Sequence, residues 1–166
     1  MTDSQIDTIA RIAEKISAED NRRSRQTETI NNLLAERHEV LVSMCALAEM
    51  EAGKKSFKAV IEGLKSFSQA LMDYTALGHF EIYERIIEGN ERRGNIKRVA
   101  DQAYPSISET TRLFVDFNDK YDGADAPDSV VNLYTDLSSI GEAMADRIDS
   151  EDLLLREISD QLESVN

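Results

Sequence analysis

Apolar residues recur along this chain at steps of three and four, the period of an α-helix, and no segment alternates as a half-buried strand does. Residues 4–20 place Ile6, Ile9, Ile12 or Ala13, and Ile16 on one face, which predicts a short helix acting as an arm. Residues 27–51 place Ile30, Leu33, Leu34, Leu41, Met44 and Ala48 on a stripe, and Gly53 punctuates. Residues 56–77 carry Phe57, Val60, Leu64, Phe67, Leu71 and Tyr74, and Gly78 suits a left-handed C-cap. A new helix is expected from His79 or Phe80 to about Glu88, ended by Gly89-Asn90, with another turn or two over 95–103.

Tyr104-Pro105 predicts a boundary, because the residue before proline is pushed out of the α region. Ser106 and Glu109 have capping-box spacing ahead of a helix to about Tyr121, closed by Asp122-Gly123. Pro127-Asp128 then opens the longest helix, about 129–163. Its stripe is Val130, Leu133, Leu137, Ile140, Met144, Ile148, Glu151, Leu155, Ile158 and Leu162. The pattern predicts an all-α fold, a four-helix-bundle core with additional short helices. Residues 1–26 form an N-terminal helical arm and residues 27–166 a single helical-bundle domain.

Composition narrows the function. The 166 residues carry 19 Lys+Arg against 32 Asp+Glu, a formal net charge of −13. Residues 1–25 hold five acids and five bases, whereas residues 101–166 hold 16 acids and four bases. An acidic chain is a poor match for phosphate backbones or anionic membranes, so neither direct nucleic acid nor membrane binding is expected. A C-terminal field of this sign can instead steer a basic protein partner, or it serves only solubility. The lone Cys45 excludes an internal disulfide and a cysteine zinc site, and its apolar neighbours suggest an inert core thiol. No apolar leader stands in the first 25 residues, and a cytoplasmic location fits.

Three ionisable residues fall on apolar stripes: Arg37, His79 and Glu151. A buried charge is costly unless paired, so Arg37 and Glu151 are expected to meet inside the bundle or at one end of it, with His79 and a tyrosine hydroxyl nearby; the alternative is that each snorkels to the surface. Asp73 lies on a solvated face, either as an ordinary surface carboxylate or as a recognition group for a cationic partner.

Enzyme signatures are missing. A di-iron bundle needs Glu-x-x-His repeats, but Ala35 and Ala76 precede the two histidines, His38 and His79, at that spacing. There is no phosphate-cradling glycine loop and no G-x-S-x-G elbow. A non-enzymatic protein with no metal and no cofactor is expected.

The stretch from Ala70 to Ile86, with Asp73-Tyr74, Gly78-His79-Phe80 and Ile82-Tyr83-Glu84, closely resembles the signature segment of the regulator of sigma D (Rsd/AlgQ) family. Weaker matches are Ile140-Gly141-Glu142-Ala143 followed by Arg147 and Glu151-Asp152, and Leu34 through Arg37 to Leu47. The resemblance implies an all-α anti-sigma factor that binds region 4 of the primary sigma factor of bacterial RNA polymerase and shifts transcription in stationary phase. It implies partner contacts at Asp73, with Tyr74, Phe80, Tyr83, Glu84 and Leu33, while Arg37, His79 and Glu151 hold the bundle. Where family members typically carry Asp-Arg-Trp-Leu, this chain reads Asn31-Asn32-Leu33-Leu34. Other cytoplasmic regulatory proteins, a phosphotransferase carrier or a stringent-response enzyme, are the alternative partners, and a helical adaptor or chaperone is a further alternative.

Overall fold

A computed structural model of the chain describes residues 3–87 and 94–163. The elements are α1 (Asp3–Ala52), α2 (Phe57–Leu77), a π-helical segment (Gly78–Ile87), α3 (Gly94–Tyr121), a 3₁₀ turn (Pro127–Val130) and α4 (Leu133–Glu163). Helix α1 packs on α2, α2 on α3, α3 on α4, and α4 back on α1, so the four long helices close a ring around one core. The described residues contain no strand, and the fold is all-α.

The turn between α1 and α2 is compact. Lys54 adopts φ +49°, and Ser56 caps α2 by accepting a hydrogen bond from the Ala59 amide at 3.2 Å. Gly63 lets the two helices approach closely, since a Cβ there would lie 2.9 Å from Cε of Met50. At the other end, α3 stops at Tyr121 as expected, and Gly123 takes φ +72°. The core is lined by Leu33, Val40, Leu47, Phe67, Leu71, Phe114, Leu133 and Leu154, among others. Phe67 and Phe117 meet edge-on with ring centroids 5.5 Å apart.

Several element boundaries differ from the expectation. The arm and the first bundle helix are one continuous helix of 50 residues. The joining residues include no Gly or Pro; Glu19 stands three and four positions before Arg22 and Arg23, and Asp20 three before Arg23, spacings that support a helix. The inward seam of α1 is Ile30, Leu33, Val40 and Leu47, buried, with Arg37 and Met44 half-buried between them; it is rotated from the predicted stripe, so Leu34 and Ala48 face outward and Cys45 is exposed rather than a core thiol. A heptad seam explains the rotation: the steps are 3, 4, 3, 4, 3.

Gly78 is right-handed (φ −59°, ψ −46°), and the chain continues through it without a stop. Its role is close approach: a Cβ would meet Nη2 of Arg147 at 3.3 Å and Cδ1 of Leu33 at 3.7 Å. Pro105 also fails to break the helix; α3 runs through it, and Ser106 is an interior residue whose carbonyl accepts from the Thr110 hydroxyl. The last helix starts later than expected, at Leu133, behind the 3₁₀ turn. The expected stop at Glu88 to Asn90 lies outside the described residues.

Candidate functional site

Two features occupy the region of the resemblance: a buried polar network and, above it, an exposed strip. The network is centred on Glu151, only 2% exposed. Its Oε1 accepts from Nη2 of Arg37 at 2.9 Å and from the Tyr74 hydroxyl; its Oε2 accepts from Nε of Arg147 at 3.1 Å. Arg37 also donates from Nη1 to Oδ1 of Asp152 at 2.9 Å. Arg147 is the largest fully buried side chain, and its Nη1 donates to Thr111 Oγ1 at 2.7 Å, to Thr110 Oγ1 at 3.3 Å and to the Ile107 carbonyl at 3.3 Å.

All four long helices thus contribute: Arg37 from α1, Tyr74 from α2, Thr110 and Thr111 from α3, and Arg147, Glu151 and Asp152 from α4. The two guanidinium groups balance the two carboxylates, the condition under which buried charge is tolerable. The Arg147 guanidinium also lies 5.3 Å from the Tyr74 ring centroid and 5.5 Å from that of Phe114.

Burial acts most strongly on the Arg37 guanidinium and favours its neutral form, yet the hydrogen bond and charge of Glu151 outweigh it and hold the group above its ordinary value. Burial raises the Tyr74 hydroxyl, and the Glu151 charge adds to this. The Tyr83 hydroxyl is also raised, chiefly by burial, and among the described residues it has no hydrogen-bond partner.

The residues expected at the site divide between the two features. Arg37 and Glu151 meet, and the tyrosine beside them is Tyr74. His79 does not join them: it is 59% exposed and pairs with Glu84 at 3.3 Å on the surface. His79 stands five residues past Tyr74, about 140° around the helix, and so on a different face. Tyr74 and Leu33, expected as partner contacts, are both fully buried; one is spent on Glu151 and the other on packing near Gly78. Arg147 takes the interior place expected for His79. The signal for it was the heptad step from Ile140 through Met144 to residue 147, where the expected stripe stepped instead to Ile148.

Asp73, Phe80 and Glu84 are exposed. Asp73 and Phe80 stand seven residues apart, so they share one face across the end of α2. Asp73 accepts from Gln69 Nε2 at 2.8 Å, and Phe80, 57% exposed, stacks edge-on against His79. Tyr83 is half-buried and borders a cleft of about 440 Å³ between the π-helical segment and α3, which His79, Glu84 and Tyr104 also line. Among the described residues, no group of three or more His, Cys, Asp or Glu could hold a metal ion, and no helix is long and apolar enough to cross a membrane.

Comparison with known proteins bears on the same region. The family described as regulator of RNA polymerase sigma(70) subunit, Rsd/AlgQ, matches residues 12–159. The chain is 33% identical over 132 residues to the regulator of sigma D of Yersinia enterocolitica, covering 78% of this chain and 79% of that protein. It is 34% identical over 128 residues to the proteins of the same name from Shigella dysenteriae and Escherichia coli, covering 76% of this chain and 80% of each relative. On the extent of these matches, the chain belongs to the Rsd/AlgQ family of regulators of the RNA polymerase sigma(70) subunit.

Proposed function

We propose that this protein is a cytoplasmic, non-enzymatic anti-sigma factor that binds region 4 of the primary sigma factor and sequesters it from core polymerase and promoter DNA. The observation that carries this reading is the exposed Asp73–Phe80–Glu84 strip, which lies in the segment with the strongest family signature and offers two carboxylates around one unburied aromatic ring. Region 4 is a DNA-reading helix-turn-helix and presents basic side chains where it meets phosphate. Asp73 and Glu84 would pair with such side chains, and Phe80 would supply an apolar anchor. The acidic C-terminal half would steer the encounter without contact, an effect that salt screens.

The test is calorimetry of the full chain with isolated region 4 at two salt concentrations. The expected result is one-to-one binding that weakens with salt, and a loss of at least tenfold, about 1.4 kcal/mol, in Phe80→Ala and in Asp73→Ala at unchanged helicity. Wild-type affinity in both variants would remove the strip as the contact surface. The second reading is a different cytoplasmic partner, a phosphotransferase carrier or a stringent-response enzyme. It is favoured by Asn31 and Asn32, both exposed on α1 where the resemblance expects an acid and a base. A pull-down that retains such a protein and no sigma factor would select it.

A further inference from the structure

Helix α1 outruns the bundle. Among the described side chains the first buried one is Ile30, and none from residue 5 to residue 29 is buried. At 1.5 Å per residue, the segment from Asp3 to Gln26 extends about 35 Å. It carries four isoleucines that remain more than half exposed: Ile6 52%, Ile9 56%, Ile12 53% and Ile16 55%. Four such side chains on one helical face amount to an unpartnered apolar stripe rather than scattered surface residues.

The heptad register of the stripe identifies what fits it. With Ile6 and Ala13 at a, and Ile9 and Ile16 at d, Ala10 falls at e and Ile12 at g. Between Ile6 and Ser17 every charged residue lies elsewhere: Asp7 and Glu14 at b, Lys15 at c, Arg11 at f. The face is self-complementary under a two-fold axis. Paired antiparallel, Ile6 of one copy meets Ile16 of the other and Ile9 meets Ala13. The same axis sets Ile12 against Ile12 on one flank and Ala10 against Ala10 on the other, with small residues allowing close approach.

Charge selects the orientation. A parallel pair would set Asp20, the next a position, against its own copy, and would bring two bodies of formal charge −13 side by side. The antiparallel pair places the bodies at opposite ends of a segment whose own charge balances, five acids against five bases in residues 1–25. We infer that the segment from Asp3 to Gln26 is a dimerisation arm, and that its occupant is the same arm of a second copy, packed antiparallel. The family match begins at residue 12, so Ile6, Ile9 and Ala10 stand ahead of it while Ile12, Ala13 and Ile16 fall within it.

The test is sedimentation equilibrium of the full chain over the micromolar range. The wild type passes from one copy to two with rising concentration, and Ile9→Lys combined with Ile16→Lys remains a single copy at every concentration. Because the arm lies outside the core, the double variant melts as the wild type does. Orientation is read in a Cys45→Ser background. Ile12→Cys cross-links to itself, and Ile6→Cys cross-links when mixed with Ile16→Cys, whereas Ile16→Cys alone does not. A wild type that stays monomeric, or a Lys double variant that dimerises unchanged, overturns the proposal. Self-cross-linking of Ile16→Cys overturns the antiparallel arrangement. A monomer that loses region 4 binding on the Lys changes would assign the stripe to a different protein and also overturn it.

Discussion

Glu151→Gln is the most demanding perturbation of this bundle. Every neighbour of the carboxylate is a donor: the Tyr74 hydroxyl, Arg37 Nη2 and Arg147 Nε. A glutamine keeps the shape but turns an NH₂ group toward at least one of these donors and removes the charge. Arg147, 1% exposed, would then have no carboxylate, since Asp152 pairs with Arg37 rather than with it. Leaving one member of a buried ion pair uncompensated costs about 3–5 kcal/mol. For a chain of this length each kcal/mol lowers the melting temperature by about 2–4 °C, so a drop of roughly 6–20 °C is expected. Urea denaturation of the full chain checks the free energy, with an unchanged m-value to show that the folded and unfolded states are comparable.

The companion measurement is a double-mutant cycle with Arg147→Met and Glu151→Leu. The double variant removes both charges and fills the space with apolar atoms, so its loss should fall short of the sum of the single losses by about 2 kcal/mol. Additivity within about 0.5 kcal/mol, or a loss under about 1 kcal/mol in Glu151→Gln, would refute the argument that these charges depend on each other.

Gly78→Ala and Gly141→Ala should move stability in opposite directions. At Gly141 only Met44 Sδ lies within 4 Å, at 3.9 Å, so the gain in helix propensity appears as about 0.5–1 kcal/mol; at Gly78 the 3.3 Å approach to the fixed Arg147 costs about 1–3 kcal/mol, both read by urea denaturation. Burial raises Tyr74, Tyr83 and Tyr121 in the folded state, so their contribution is full below 10.0, the ordinary tyrosine value, and declines as pH rises above it. Thermal melts between neutral pH and about pH 11 should show this decline, and Tyr74→Phe should make it shallower. Burial acts first on the Asp136 carboxylate and would raise it, but hydrogen bonds from Lys120 and Tyr121 at 2.5 Å outweigh that and hold it below 3.8. Its contribution is present above that value and is lost as pH falls through the lowered one, so Asp136→Asn should flatten the acid side of the stability profile.

Much of the architecture was legible along the chain because helical period, glycine punctuation and charge placement are local properties. Helix α2 spans Phe57–Leu77, the extent of its stripe, and α3 closes where Asp122-Gly123 follows Tyr121. The placement of ionisable residues on apolar stripes also pointed to Arg37 and Glu151, since such positions carry a cost wherever the helices pack. The segment from Asp73 to Glu84 carries the family likeness in its residues alone.

What the tertiary structure decided concerns phase and competition between elements. A stripe of Leu, Ile and Ala leaves the rotation of a helix open by about one position. The seam chosen on α1 runs through Val40 and Leu47 because α2 and α4 both press on it, which turns Leu34 and Cys45 outward. Gly78 and Pro105 read locally as breakers, yet packing of the neighbouring helices carries the chain through both. At Gly78 the reason is non-local: the missing side chain makes room for Arg147, more than sixty residues away. Arg147 holds the interior place expected of His79 for the same reason, since the ring of helices that buries it is a property of the assembled bundle. Sequence alone determined which residues could be helical and which charges needed partners; only the closed ring of helices decided which partners they found.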